Sequence, residues 1–286
     1  MKQGEKMKTE SIYKSPDGKR QIMALYEAVL RRWPVPYETI SLPTRHGETF
    51  VIASGESSAP PLVLIYGAAS NAVAWVGDVA EYSQHFRTYA VDLPGEPGKS
   101  TENRPAWNGP GFAEWLEDVL DGLKVQKTAL LGISQGGWTA VRFATIRPER
   151  VPRLVLLAPA GVMPTRKSFI LKAIILPMAG RRGEERFKRL IFGGQLIHPE
   201  AVKFMDVIMA HFKAHMGKEY LFSDEELKRL NMPTLLIGGA EDALIPMESV
   251  IPRMQKLVPQ LQAVLIPGMG HALINLAGQI IPFLTA

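Results

Sequence analysis

Short apolar runs alternate along the chain with longer segments in which apolar residues recur every three or four positions. The short runs are continuous, a pattern typical of parallel strands that are buried on both faces. Six segments carry this pattern: PLVLIYG, RTYAVD, KTALLG, RLVLLAP, PTLLIGG and LQAVLIPG. An earlier run, ETFVIAS, is expected to form an antiparallel strand. The alternation predicts an α/β fold with helices flanking a mostly parallel central sheet.

Helical patterns separate most of these runs. Four covering helices are predicted, in GFAEWLEDVLDGL, GWTAVRFATIRPER, MESVIPRMQKLV and HALINLAGQIIPFL. After residue 163 three helical patterns follow one another without a strand: RKSFILKAIILPMAG, GEERFKRLIFGG and PEAVKFMDVIMAHFKAHMGKEY. We therefore predict a core over residues 37–163 and 218–286, interrupted by a helical lid over residues 164–217. Residues 1–36 are predicted to add a helical extension, in which the amphipathic segment KRQIMALYEAVLRRW stops at Pro34.

Composition narrows the class of protein. With 286 residues, 46% hydrophobic and 21% charged, the chain is expected to be globular, and its length suffices for one large core with an insertion or for two small domains. The absence of cysteine excludes disulfides, thiolate nucleophiles and Cys-ligated zinc, and it fits a reducing compartment. The first twenty residues contain no apolar signal-like run, and the apolar stretches are too short to span a bilayer. We expect a cytoplasmic protein without a membrane partner.

The net charge of +5 raises the question of an anionic partner. Lysine and arginine are scattered along the chain, with no long basic run and no interleaved aromatic residues. We expect a solvated surface and no nucleic-acid partner.

One short motif suggests a nucleotide site. The segment LPGEPGKS ends in the Gly-Lys-Ser of a phosphate-binding loop, but Leu93 stands where that loop requires its first glycine. Pro105 and Pro110 follow, so no helix N-terminus is available to bind a phosphate. The motif is expected to have another role.

The segment LLGISQGGW places Ser134 between a predicted strand and a predicted helix, within a Gly-x-Ser-x-Gly motif. Gly132 and Gly136 suit a tight turn in which side chains at these positions would collide with neighbouring backbone. Such a turn exposes the serine hydroxyl, and the backbone N–H of Gln135 at the helix start suits a developing oxyanion. An ordinary glycine-rich turn is the alternative, but the strand and helix around it favour a nucleophile.

A serine nucleophile needs a general base, and His271 follows the last predicted strand at the same sheet edge as Ser134. Such a base is usually held by a carboxylate, which Asp242 or its neighbour Glu241 supplies after the preceding strand. We choose Asp242. The chain order Ser134, Asp242, His271 is the order found in one particular hydrolase architecture.

With these motifs the chain resembles the α/β-hydrolase fold superfamily over about residues 37–286, and within it bacterial carboxylesterase-like serine hydrolases. The segment IYGAASNAVAW resembles the family's oxyanion loop, which implies that the N–H of Ala68, after Gly67, is the second oxyanion donor; Tyr66 replaces the usual histidine. The segment DLPGEPGKS resembles, with one added residue, a turn that packs beneath the active site in that family. The resemblance implies hydrolysis of a small-molecule ester through an acyl-enzyme, without a cofactor.

The same residues are compatible with other functions. The same triad supports hydrolysis of carbon–carbon bonds, lactone opening or perhydrolysis, and an inactive scaffold would serve as a binding protein. A serine at the nucleophile position disfavours dehalogenase and epoxide hydrolase chemistry. An apolar substrate pocket could be lined by Ser70, Trp75, Trp138, Met163 and Met178, with ordinary core packing as the alternative for the large apolar residues. His211 and His215 have the spacing of a zinc pair, but Phe212 follows the first of them and no third ligand is evident, so no metal is expected.

Overall fold

The computed structural model describes residues 10–195, 197–215, 217 and 220–286, and within these residues eight strands form one sheet. The strand order is β1-β2-β4-β3-β5-β6-β7-β8. Strands β1 and β2 pair antiparallel, β2 pairs antiparallel with β4, and the remaining neighbours are parallel. The strands are β1 (Tyr37–Thr44), β2 (Gly47–Ser54), β3 (Pro61–Ile65), β4 (Arg87–Val91), β5 (Ala129–Ile133), β6 (Leu154–Leu157), β7 (Thr234–Gly239) and β8 (Leu261–Ile266).

The helices are α1 (Pro16–Leu30), α2 (Val79–Tyr82), α3 (Gly111–Gly122), α4 (Gln135–Ile146), α5 (Lys167–Met178), α6 (Gly180–Phe192), α7 (Pro199–His211), α8 (Asp224–Leu227), α9 (Met247–Leu257) and α10 (Ala277–Thr285). Helices α5, α6 and α7 occupy the interval between β6 and β7. Together with the sheet topology, this arrangement confirms the predicted class, a mostly parallel sheet flanked by helices.

The central strands are buried because they consist mostly of apolar residues. Every residue of β5, β6 and β7 is buried, as expected for continuous apolar runs with helices on both faces. Strand β1 was not predicted as a strand. It lies at the sheet edge with mostly exposed polar residues, and only Leu42 in it is buried, so the apolar pattern that marks the central strands is missing.

Helix α1 begins earlier than its apolar pattern indicated. The side chain of Ser15 accepts a hydrogen bond from the N–H of Gly18, and Pro16 occupies the first helical turn. Both are stabilising features of a helix start. Tyr26, on the buried side of α1, donates to the carboxylate of Asp92 at 3.0 Å, so α1 packs directly on the loop after β4. Residues 1–9 of the predicted extension lie outside the described residues.

Two predicted helices are shorter than their sequence patterns. Helix α7 ends at His211, because Phe212 adopts an extended conformation and forms a β-bridge with Tyr13; residues 216, 218 and 219 lie outside the described residues. The predicted C-terminal helix starting at His271 begins only at Ala277. Residues 271–276 form a loop instead, and Asn275 in it has a φ of 57°. His271 is therefore carried by a loop.

Candidate active site

The parallel strands bring four candidate segments to one edge of the sheet. The segment after β3 contains Gly67 and Ala68, β5 leads directly into Ser134, β7 is followed by Asp242, and β8 by His271. Because the carboxyl ends of parallel strands meet at the same edge, residues far apart in the chain become neighbours.

Ser134 occupies a strained turn between β5 and α4. Its φ of 53° lies in the left-handed region, which is uncommon for residues other than glycine and recurs at functional sites. A Cβ on Gly132 would lie 2.4 Å from the carbonyl oxygen of Gly136, and a Cβ on Gly136 would lie 2.1 Å from the carbonyl oxygen of Ile65. Both glycines are therefore required by close backbone contacts that hold the serine in this conformation.

Ser134, His271 and Asp242 form a continuous chain of hydrogen-bonding distances. The Oγ atom of Ser134 lies 3.0 Å from Nε2 of His271, and Nδ1 of His271 lies 2.8 Å from Oδ2 of Asp242. The His271 side chain retains 12% of its exposure, whereas that of Asp242 retains 1%. Ser134 is half-buried and Asp242 is buried, so the carboxylate end of the triad is the more shielded from solvent.

The surroundings of Asp242 distinguish it from its neighbour Glu241 as the partner of His271. Its second oxygen, Oδ1, accepts hydrogen bonds from the backbone N–H groups of Leu244, at 2.7 Å, and Ile245, at 2.9 Å. These donors orient the carboxylate so that Oδ2 faces the imidazole. Glu241 is exposed. Position along the chain left both acids open, and the geometry places Asp242 beside His271.

The predicted oxyanion segment passes close to the serine. A Cβ on Gly67 would lie 3.2 Å from the Cβ of Ser134, so only glycine lets this backbone approach without displacing a neighbour. Ala68 follows and is exposed, while Ala69 has a φ of 52°. Gln135 is buried at the first position of α4, where backbone N–H groups have no partner within the helix. Gly67, the residue before Ala68, thus lies against Ser134, and Gln135 follows Ser134 directly; both oxyanion donors stay predictions.

Glu96 is a buried acid that sequence reasoning missed. It is 3% exposed, and its Oε2 accepts a hydrogen bond of 2.8 Å from the N–H of Ala69. Burial raises the pKa of this carboxyl group to about 7, opposed by hydrogen bonds from Ala69 and from the Gln135 side chain and by the charge of Arg104. Its carboxyl group therefore touches both segments that carry the predicted oxyanion donors. The signal available in the sequence is the position of this acid between Gly95 and Pro97 in a predicted turn.

The loop that resembles a phosphate-binding motif is internal. Asp92 is fully buried and accepts hydrogen bonds of 2.7 Å from the N–H groups of Ala72 and Lys99. Ser100 donates to the carbonyl oxygen of Asp92 at 2.7 Å, and a Cβ on Gly98 would lie 2.5 Å from the Asp92 carboxyl carbon. Burial raises the pKa of Asp92. The polar groups of this loop form hydrogen bonds with one another and with the core. The Gly-Lys-Ser motif is therefore not available to bind a nucleotide.

The five expected pocket residues differ in how far they are buried. Trp138 has no exposed surface and packs among aromatic rings, with its Nε1 donating to the carbonyl oxygen of Tyr220 at 3.2 Å. Trp75 is 1% exposed and packs edge-on against Tyr66, so both tryptophans pack in the core; their assignment to a substrate pocket stays a prediction. Met178 is 82% exposed at the end of α5.

The other two pocket candidates stay predictions. Ser70 is half-buried two residues beyond Ala68, and Met163 packs partly buried against the core. A surface recess of about 510 Å³ is lined by residues of another region, including Pro36, Glu56 and Arg87, and not by the triad.

The two spaced histidines have separate surroundings. His211 ends α7 against Gly18, whereas His215 lies beyond the helix and stacks on Trp107 with ring centres 5.8 Å apart. The two histidines therefore do not lie one turn apart on a single helix, as a zinc pair would require. Within the described residues no group of three or more His, Asp or Glu side chains is arranged to hold a metal ion. The described helices also include none with the length and apolar character needed to cross a bilayer.

Comparison with known proteins identifies the class to which this fold and site belong. Residues 62–279 match the model of the alpha/beta hydrolase family, and the chain belongs to that family. The predicted α/β-hydrolase fold is confirmed.

Among its relatives is the carboxylesterase YbfK of Bacillus subtilis, which is 34% identical over 256 residues, or 87% of this chain and 86% of the esterase. The crystal structure of that esterase has a TM-score of 0.84, at 31% identity, and covers 94% of this chain and 98% of its own. The structure of the naproxen esterase of Bacillus subtilis has a TM-score of 0.85, at 30% identity, and covers 95% and 99%.

Proposed function

We propose that this chain hydrolyses carboxylic esters through an acyl-enzyme formed on Ser134. The observation that carries the proposal is the chain of hydrogen-bonding distances from Ser134 through His271 to Asp242, at a strained strand-to-helix turn. The similarity to esterases over most of both chains supports an ester as the bond that is cleaved. The substrate class is a small-molecule carboxylic ester.

Two half-reactions follow from this geometry. Nε2 of His271 takes the hydroxyl proton of Ser134 while Oγ attacks the ester carbonyl carbon, and the protonated imidazole then gives that proton to the departing alkoxide. Water repeats the sequence on the acyl-serine, releasing the acid and restoring the serine. Asp242 accepts the Nδ1–H of His271 throughout, which holds the ring orientation and stabilises the imidazolium. Only groups of the chain and water take part.

The tetrahedral oxyanion of each half-reaction would be bound by the N–H groups of Ala68 and Gln135. Glu96 supports this arrangement as a positioning residue, because it accepts the next N–H along the loop, that of Ala69, and a hydrogen bond from the Gln135 side chain. The loop conformation, with Ala69 at a φ of 52°, needs such an anchor.

The helical segment over residues 164–217 is proposed to act as the lid of the core formed by 37–163 and 218–286. Its connection to the site supports this role. The N–H of Ala272 donates to the carbonyl oxygen of Ile191 at 3.0 Å, and the side chain of Gln195 donates to the carbonyl oxygen of Ala272 at 2.6 Å. Both contacts join the end of α6 to the residue next to His271.

The test is hydrolysis of p-nitrophenyl esters, with acyl chains from acetate to decanoate, by the wild-type chain and by Ser134→Ala. We expect hydrolysis by the wild type, loss of at least about 1,000-fold in kcat in Ser134→Ala, and no loss in Ser57→Ala, which changes an exposed serine. Full activity of a folded Ser134→Ala protein would exclude the acyl-enzyme. The chain-length profile would define the acyl group that the site accepts.

A further inference from the structure

Helix α5 carries large apolar side chains on the outside of the protein. Ile170, Leu171, Ile174, Ile175 and Met178 are between 47% and 82% exposed. Their spacing places them on one continuous side of the helix, which we name the apolar α5 face. A helix this apolar is normally buried, and an exposed apolar patch marks a surface that binds something.

The opposite side of α5 is already occupied. Phe169 contacts Phe187 of α6, with ring centres 5.7 Å apart, and Ala173 and Leu176 are partly buried. This contact anchors α5 to α6 and turns the apolar α5 face towards solvent.

The segment around this face carries the positive charge of the chain. Residues 164–195 contain eight lysines and arginines against two glutamates, a net charge of +6, whereas the whole chain has +5. The remainder of the molecule is therefore close to neutral. Lys167 and Lys172 on α5 are exposed, as is Arg182 on α6, and the side chain of Arg181 is 93% exposed. Arg166 and Lys188 are paired with Glu248 and Asp206 outside this segment. The other six basic residues of the segment lie on the two contacting helices α5 and α6.

Although the sequence alone favours no membrane partner, we propose that the apolar α5 face docks on the surface of a lipid bilayer that contains anionic phospholipids. Apolar side chains flanked by lysine and arginine are the combination that binds at a lipid interface, where the apolar groups enter the acyl boundary and the basic groups meet phosphate. A second copy of the chain is a poorer occupant, because association would bring two segments of net charge +6 together. The helix lies on the membrane and does not span it, in keeping with the length of the described helices.

The apolar α5 face is connected through α6 to the loop that carries His271. Helix α6 ends at Phe192, and Gly193 forms a β-bridge with Met269 in the loop that carries His271. A docked α5–α6 pair would therefore hold that loop near the interface. The docking itself does not depend on ester hydrolysis, so it is measured without reference to activity.

The experiment is flotation of the purified full chain with vesicles of phosphatidylcholine alone and of phosphatidylcholine mixed with phosphatidylglycerol. We expect binding to the mixed vesicles that weakens with salt, and little binding to phosphatidylcholine alone. The double change Arg181→Gln and Arg182→Gln should lower the partition coefficient roughly 30-fold, or about fivefold for each basic residue. Ile174→Asp with Ile175→Asp should abolish binding, whereas Leu265→Asp, at a 44% exposed leucine on β8, should not.

Circular dichroism of each variant establishes that it is folded. Failure of the folded wild type to float with the mixed vesicles would overturn the proposal, as would binding that Ile174→Asp with Ile175→Asp leaves unchanged. Light scattering that finds a lipid-free dimer, dissociated by those same two changes, would assign the face to a second copy instead.

Discussion

The burial of the Glu96 carboxyl group predicts how the free energy of unfolding depends on pH. Its pKa is raised from the ordinary value of 4.5 to about 7 by burial, so the folded state binds this proton more tightly than the unfolded state does. The stability that the bound proton contributes is complete below about pH 4.5 and is lost as the pH rises through about 7. A shift of this size corresponds to roughly 3 kcal/mol in the free energy of unfolding. Glu96→Gln removes the titration but keeps an oxygen that accepts from the N–H of Ala69.

The assay is urea unfolding of the wild type and Glu96→Gln, followed by circular dichroism at about pH 5.5 and about pH 8.5. Integration of the linkage relation predicts that the stability of the variant relative to the wild type increases by roughly 2 kcal/mol over this interval. Glu56→Gln, at an exposed acid, is the matched control and should give a difference independent of pH. A pH-independent difference for Glu96→Gln as well would refute a carboxyl group that gains its proton on folding.

Three further predictions concern the triad, the turn and the core. Asp242→Asn should lower kcat for p-nitrophenyl acetate by about 10,000-fold, because the imidazole loses the acceptor of its Nδ1–H; a fall of less than tenfold would argue against this role. Gly136→Ala should yield less folded protein and no activity, since its methyl group would lie 2.1 Å from the carbonyl oxygen of Ile65, whereas Gly77→Ala, with open space around it, should behave as the wild type in thermal unfolding. Trp138→Ala should lower the free energy of unfolding by about 3–5 kcal/mol, and unchanged urea unfolding would contradict its placement in the core.

Local rules made the central sheet and the strained turn predictable from the sequence. Continuous apolar runs indicate strands buried on both faces, and Gly132 and Gly136 around Ser134 indicate a turn too tight for side chains. His271 was selected because parallel strands deliver their ends to one edge, a rule that needs no knowledge of distances. The family comparison agrees with the fold derived in this way.

Features that depend on three-dimensional neighbours were not predictable in the same way. A tryptophan in a core and one in a pocket look alike in sequence, and only the aromatic neighbours of Trp138 distinguish them. Phe212 continues a helical apolar pattern, yet pairing with Tyr13 ends the helix before it. Glu96 appears as one more polar loop residue until the fold encloses it. The charge of residues 164–195 can be counted in the sequence, but the contact between α5 and α6 is needed to place it beside the apolar α5 face.

The central claim is that Ser134 is the nucleophile, and covalent labelling tests it most directly. Intact-mass analysis after treatment with a fluorophosphonate should show one adduct on the wild type, none on Ser134→Ala, and slower labelling of His271→Ala. An adduct that persists in folded Ser134→Ala would contradict the account. So would ester hydrolysis by a wild-type protein that the reagent neither labels nor inhibits.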